Sequence, residues 1–127
     1  MKDLIKIISI EDNDASAEYL NIAIQMLGYE HLNFSNAREG IEYLRKNTVS
    51  LVLMDVQLPG LDGYEATRII KNEFPGLPVI IQTAYAMKGD REKAFESGCD
   101  DYITKPVSLQ MLKEKISAVL ESVKSDY

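Results

Sequence analysis

The chain has 127 residues, 46% hydrophobic and 27% charged, the size and balance of a globular domain that buries its own core. With 14 Lys and Arg against 20 Asp and Glu, the net charge is −6, which argues against a surface built for nucleic acid. One cysteine, Cys99, rules out an internal disulfide framework, no apolar run is long enough to span a membrane, and no signal peptide opens the chain, so it reads as one cytoplasmic domain over 1–127 with a core of about 4–124.

Two periodicities alternate along the chain. "LIKIISI" (4–10) is a β-branched apolar run, and "AEYLNIAIQMLG" (17–28) sets Leu20, Ala23, Ile24 and Leu27 on one helical face, with Gly28 as the stop. "YEHLNF" (29–34) is a weaker strand, in which His31, the only histidine, reads as a solvated or edge-strand residue and a poor phosphodonor. "NAREGIEYLRKN" (36–47) pairs Asn36 with Glu39 as a capping box, and residues 51–56 form a third strand. Asp62 caps a helix over 63–74 that carries Tyr64, Thr67, Ile70 and Phe74 on one face and stops at Pro75-Gly76. "LPVIIQTA" (77–84) is strand four, "GDREKAFESG" (89–98) a short polar helix, and "DYIT" (101–104) strand five. Ser108 then caps a helix over 108–123 with Leu109, Leu112, Ile116, Val119 and Val123 as its stripe. Cys99 reads as a small buried apolar side chain.

The order is (βα)5. The first, third and fourth strands are continuous apolar runs, which implies burial on both faces and hence a parallel sheet between helices. In such sheets ligands bind at the carboxyl ends of the strands. Glu11-Asp12 stands at the end of the first strand, Asp55 at the third, Thr83 at the fourth and Lys105 at the fifth. Singly these read as a helix opener, a turn residue, ordinary strand chemistry and a solvated lysine. Jointly, at four strand ends of one sheet, they describe a site. Clustered carboxylates repel and lose hydration, and one lysine offsets only part of that. A hard cation such as Mg2+, content with one or two carboxylates, waters and a phosphate oxygen, offsets the rest. Asp55 is then a candidate nucleophile toward phosphorus.

Four pieces, "IEDND", "LMDVQLPGLDGYE", "TAYA" and "DDYITKP", together make the chain resemble the receiver domain of two-component response regulators over residues 4–124. The resemblance implies a flavodoxin-like sheet of order 2-1-3-4-5, with Asp55 as phosphoacceptor and Mg2+ held by Glu11, Asp12, Asp55 and the backbone carbonyl of Gln57. It implies that Thr83 and Lys105 bind the phosphoryl group, that Thr83 and Tyr102 form the switch, that Gln57 and Tyr85 tune the lifetime, and that the Lys105–Pro106 peptide is cis. The family more often has two aspartates where this chain has Glu11-Asp12. The implied phosphodonor is a histidine kinase or histidine phosphotransfer protein, and the 89–123 face is the candidate output or homodimer surface, with no nucleic acid or membrane contact. The sequence is similar in detail to receivers of hybrid sensor histidine kinases, so an excised domain is favoured slightly over a free-standing one. A Mg2+-dependent hydrolase is disfavoured because Gln57 stands where such enzymes place a second acid. Retention of Asp12, Asp55, Thr83 and Lys105 argues against a receiver that no longer accepts phosphate, and no hydroxyl-rich loop follows the first strand to hold a flavin phosphate.

Overall fold

Five parallel strands in the order β2-β1-β3-β4-β5 form the centre of the computed structural model, which describes residues 5–84 and 88–124. The elements run β1 (Lys6–Ile10), α1 (Asp14–Met26), β2 (Glu30–Phe34), α2 (Ala37–Lys46), β3 (Leu51–Asp55), α3 (Gly63–Glu73), β4 (Val79–Thr83), α4 (Lys88–Glu96), β5 (Asp101–Thr104) and α5 (Leu109–Lys124). The expected (βα)5 architecture and strand order are present.

Alternation along the strands divides the core into two layers. Ile7, Leu51, Leu53, Ile80 and Ile103 pack with Leu20, Ala23 and Ile24 of α1 and with Leu112, Ile116 and Val119 of α5. Ile8, Ile10, Val52, Met54, Val79 and Ile81 pack with Ile41 and Leu44 of α2, Ala66 and Ile70 of α3 and Ala94 of α4. Both β3 and β4 are buried along their whole length, which is why residues 51–54 and 79–81 run apolar rather than alternating.

Caps place the helices. Asn36, Asp62 and Ser108 accept from the backbone N–H of Glu39, Glu65 and Met111 at 2.9, 2.9 and 3.0 Å, as expected. The first helix starts earlier than its apolar stripe: Asn13 Oδ1 accepts from Ser16 N–H at 2.9 Å, so α1 begins at Asp14 and not at residue 17. Gly28 and Gly98 close their helices at φ 95° and 97°. Strand β4 starts only at Val79, because Pro78 has no N–H to give a ladder. Leu109 was expected on the buried stripe of α5 but is 37% exposed. Side chains lean toward a helix's N-terminus, so one in the first turn reaches past the layer it would cover. The buried stripe starts at Leu112. The side chain of Val123, with Leu4 and residues 125–127, lies outside the described part.

His31 is on an edge strand, as expected, but it is not solvated: it is 8% exposed. Its Nε2 is 2.7 Å from Ser9 Oγ and its Nδ1 2.9 Å from the Asn21 carboxamide. Cys99 is buried, and burial pushes its thiol up to about 12, an inert apolar role. No helix among the described residues is long and apolar enough to cross a membrane.

Candidate functional site

Glu11, Asp12, Asp55, Thr83 and Lys105 sit at the carboxyl ends of the strands. Asp55 is the last residue of β3 and is 5% exposed. Glu11 follows β1 and is 1% exposed, its own N–H bonded to the Phe34 carbonyl at 2.9 Å and its Oε2 accepting from Asn13 N–H at 3.3 Å. Asp12, the next residue, is exposed. The backbone N–H of Lys105 donates to the Thr83 carbonyl at 2.7 Å, which brings the start of the β5–α5 connection over the sheet. From there Lys105 Nζ reaches Glu11 Oε1 at 2.9 Å and Asp55 Oδ2 at 3.5 Å. The Lys105–Pro106 peptide is cis. Thr83 ends β4 and is buried.

Glu11, Asp12 and Asp55 each offer one carboxylate oxygen, and these oxygens lie within 4.8 Å of one another. Burial pushes the Asp55 carboxyl up to about 6, and the neighbouring Glu11 adds to the rise. Burial also works against the charge on Glu11, but hydrogen bonds from Asp55 and Lys105 outweigh it and hold that carboxyl below its ordinary value. Burial lowers Lys105 as well, and Glu11 and Asp55 reverse the sign, so its ammonium is strengthened. The pair thus splits: Glu11, closer to the ammonium, keeps its charge and Asp55 holds the proton longer. Three carboxylates facing one ammonium form an oxygen-only donor set with surplus negative charge, which fits a hard divalent cation.

Gln57 is exposed, and its N–H donates to Asp55 Oδ1 at 3.3 Å. Tyr85 lies outside the described residues. Tyr102 is half-buried, its ring edge-on to Phe95 with centroids 6.0 Å apart and the Arg91 guanidinium 5.7 Å from its own centroid. Tyr102 stands in register with Ile81, so alternation puts it on the same face of the sheet as Thr83, two residues further along β4.

Two residues at the site went unread in the sequence. Gly63 opens α3 directly against β3: its N–H donates to the Val56 carbonyl at 3.2 Å, and a Cβ there would lie 2.6 Å from Val56 Cα. The signal was a glycine placed immediately after a capping aspartate. Gln82 is the neighbour of Asp55 in register and is 1% exposed. Its signal was the one polar residue inside "VIIQT", which was read as ordinary strand.

A family model for the response regulator receiver domain matches residues 7–117. The polar-differentiation response regulator DivK of Brucella anthropi is 37% identical over 116 residues, covering 90% of this chain and 94% of that protein. The solved structure of a CheY-like response regulator receiver domain protein from Methanospirillum hungatei JF-1 matches with a TM-score of 0.92 at 28% identity, over 98% of this chain and 100% of that one. The receiver domain of a sensor histidine kinase from Pseudomonas aeruginosa PAO1, solved with a magnesium ion coordinated in its active site cleft, matches with a TM-score of 0.87 at 29% identity, over 94% of this chain and 99% of that one.

Proposed function

The chain belongs to the response regulator receiver family, and we propose that its task in two-component signalling is to take a phosphoryl group from a phosphohistidine onto Asp55, with Mg2+. The observation that carries this is the place of Asp55: buried at a strand end, within reach of the Lys105 ammonium and in a cluster of three carboxylates. The donor is a histidine kinase or a histidine phosphotransfer protein. Glu11, Asp12, Asp55 and the backbone carbonyl of Gln57 would hold the Mg2+, which when bound neutralises charge on the phosphoryl oxygens.

In the transfer, one Asp55 carboxylate oxygen forms a bond to phosphorus as the phosphorus–nitrogen bond of the donor breaks. The imidazole leaves with the electron pair and takes up a proton. Little else is asked of the protein beyond positioning and charge neutralisation. Lys105, already 3.5 Å from Asp55, turns its ammonium to the new phosphoryl oxygens. The Thr83 hydroxyl donates to another. Moving Thr83 frees space on the face it shares with Tyr102, and the Tyr102 ring turns inward, changing the surface of α4, β5 and α5. Gln57 and Tyr85 set how readily water reaches the phosphoryl group. Chemistry is confined to the chain's own aspartate, so the output is a change of surface and not a turned-over substrate. Similar chains include both a named response regulator and the receiver domain of a sensor histidine kinase.

Intact-mass spectrometry after incubation with Mg2+ and acetyl phosphate tests the assignment. The wild type should gain one phosphoryl group and Asp55→Asn none. Equal gain by both proteins would place the acceptor elsewhere.

A further inference from the structure

Gln82 stands apart from every other buried polar residue described. Its side-chain Nε2 is the one buried side-chain nitrogen or oxygen among the described residues that no hydrogen bond reaches. Such a group is costly to keep, since burial strips it of water and nothing replaces the bond. A leucine would pack with Leu53, Ile80 and Ile103 without that cost.

Its position shows which groups lie near it. Gln82 is in register with Asp55 on one side and with Ile103, two residues before Lys105, on the other. Side chains in register across parallel strands share a face, so Gln82 lies beside Asp55 on the α1–α5 side of the sheet. There it lines a cavity of about 400 Å3 together with Glu11, Lys105 and Leu20. Glu11 Oε1 is held by Lys105 at 2.9 Å, and Glu11 is itself 1% exposed. If Lys105 turns to a phosphoryl group, that oxygen loses its donor.

Resting on the reading of Asp55 as phosphoacceptor, we propose that Gln82 is a positioning residue of this site: when Lys105 turns to the phosphoryl group, the Gln82 amide N–H takes over the Glu11 oxygen that Lys105 releases. The unpaired donor of the resting protein becomes a bond of the loaded one. Gln82 touches neither phosphorus nor metal. It keeps Glu11 in place while Lys105 is engaged, and so favours the loaded state.

The test uses beryllofluoride with Mg2+ as the phosphoryl mimic. Fluorine NMR reports whether Asp55 is occupied, and proton–nitrogen spectra report the Gln82 side-chain amide, identified as the pair missing from Gln82→Leu. On occupancy one of the two amide protons should move downfield and exchange more slowly with solvent. Gln82→Leu should bind beryllofluoride about ten-fold more weakly, since a hydrogen bond to a charged acceptor is lost. Its melting temperature without Mg2+ should not fall. An amide that stays put while bound fluoride is seen, or a variant with wild-type affinity, overturns the proposal and leaves Gln82 a structural residue. Absence of bound fluoride in the wild type overturns the reading of Asp55 itself.

Discussion

Asp55 and His31 are both buried titratable groups, and they push stability in opposite directions as pH falls. Asp55 is raised in the fold from an ordinary 3.8 to about 6, so the folded state binds the extra proton between those values. Its charge therefore costs stability at neutral pH, and the cost fades as pH drops through 6 toward 4. His31 is lowered by burial from 6.5 to about 4, so there the unfolded state binds the extra proton and stability is lost over the same range. In Mg2+-free buffer the two trends offset each other. Asp55→Asn removes one of them. The variant should be more stable than the wild type by about 1–3 kcal/mol at pH 7, and the gain should shrink toward zero near pH 4. Urea unfolding of both proteins at pH 4.5 and pH 7 checks this, and an equal gain at the two values would contradict it. His31 also belongs to a chain of hydrogen bonds that ends at the site. Asn33 Nδ2 donates to the Glu11 carbonyl at 3.1 Å, Ser9 Oγ donates to Asn33 Oδ1 at 2.6 Å, and His31 Nε2 lies 2.7 Å from Ser9 Oγ.

Helix α3 is seated directly against the backbone at the end of β3. Asp62 caps it, and Gly63 lets its first turn touch the Asp55–Val56 peptide. The φ of Gly63 is not the issue; contact is. A methyl group at this position overlaps backbone, which cannot swing aside as a side-chain tip could. Gly63→Ala should destabilise the protein by about 1–3 kcal/mol and slow acetyl phosphate labelling of Asp55. Gly76→Ala is the control, because a Cβ there meets nothing within 4 Å. Thermal melts with labelling time courses on the two variants decide it, and equal behaviour would remove the special role of Gly63. The extent of α1 also matters to the site. Its apolar stripe reads from residue 17, but the Asn13 cap draws the helix back to Asp14, next to Asp12. A cap outranks the stripe in setting a helix start, because it satisfies amide groups that packing leaves bare.

Over the whole molecule, the face made by α4, β5 and α5 carries exposed Phe95, Leu109 and Met111, at 43%, 37% and 40%. This is the surface proposed to change with Asp55. We expect beryllofluoride with Mg2+ to shift the protein from monomer toward dimer through this face, and Met111→Glu to abolish the shift while leaving fluoride bound at Asp55. Sedimentation velocity with and without the mimic measures it; an unchanged sedimentation coefficient with Asp55 occupied would direct the output to another surface. The fold was legible in the chain because burial on both faces leaves largely apolar runs in β1, β3 and β4, and because caps and stops are written within three or four residues. The site was legible for a related reason: an acid, a hydroxyl or a lysine that follows a buried strand has no place but the strand's end. Those are local or periodic properties, and the sequence by itself determined them. Only the tertiary structure decided which carboxylate holds its proton, since Lys105 comes to Glu11 across 94 residues of chain. It alone decided that His31 is buried, that Leu109 is not, and that the Gln82 amide lies buried without a partner in the wall of the cavity that Glu11 and Lys105 also line. Desolvation and Coulomb energy depend on distance through space, and that distance exists only once the strands are side by side.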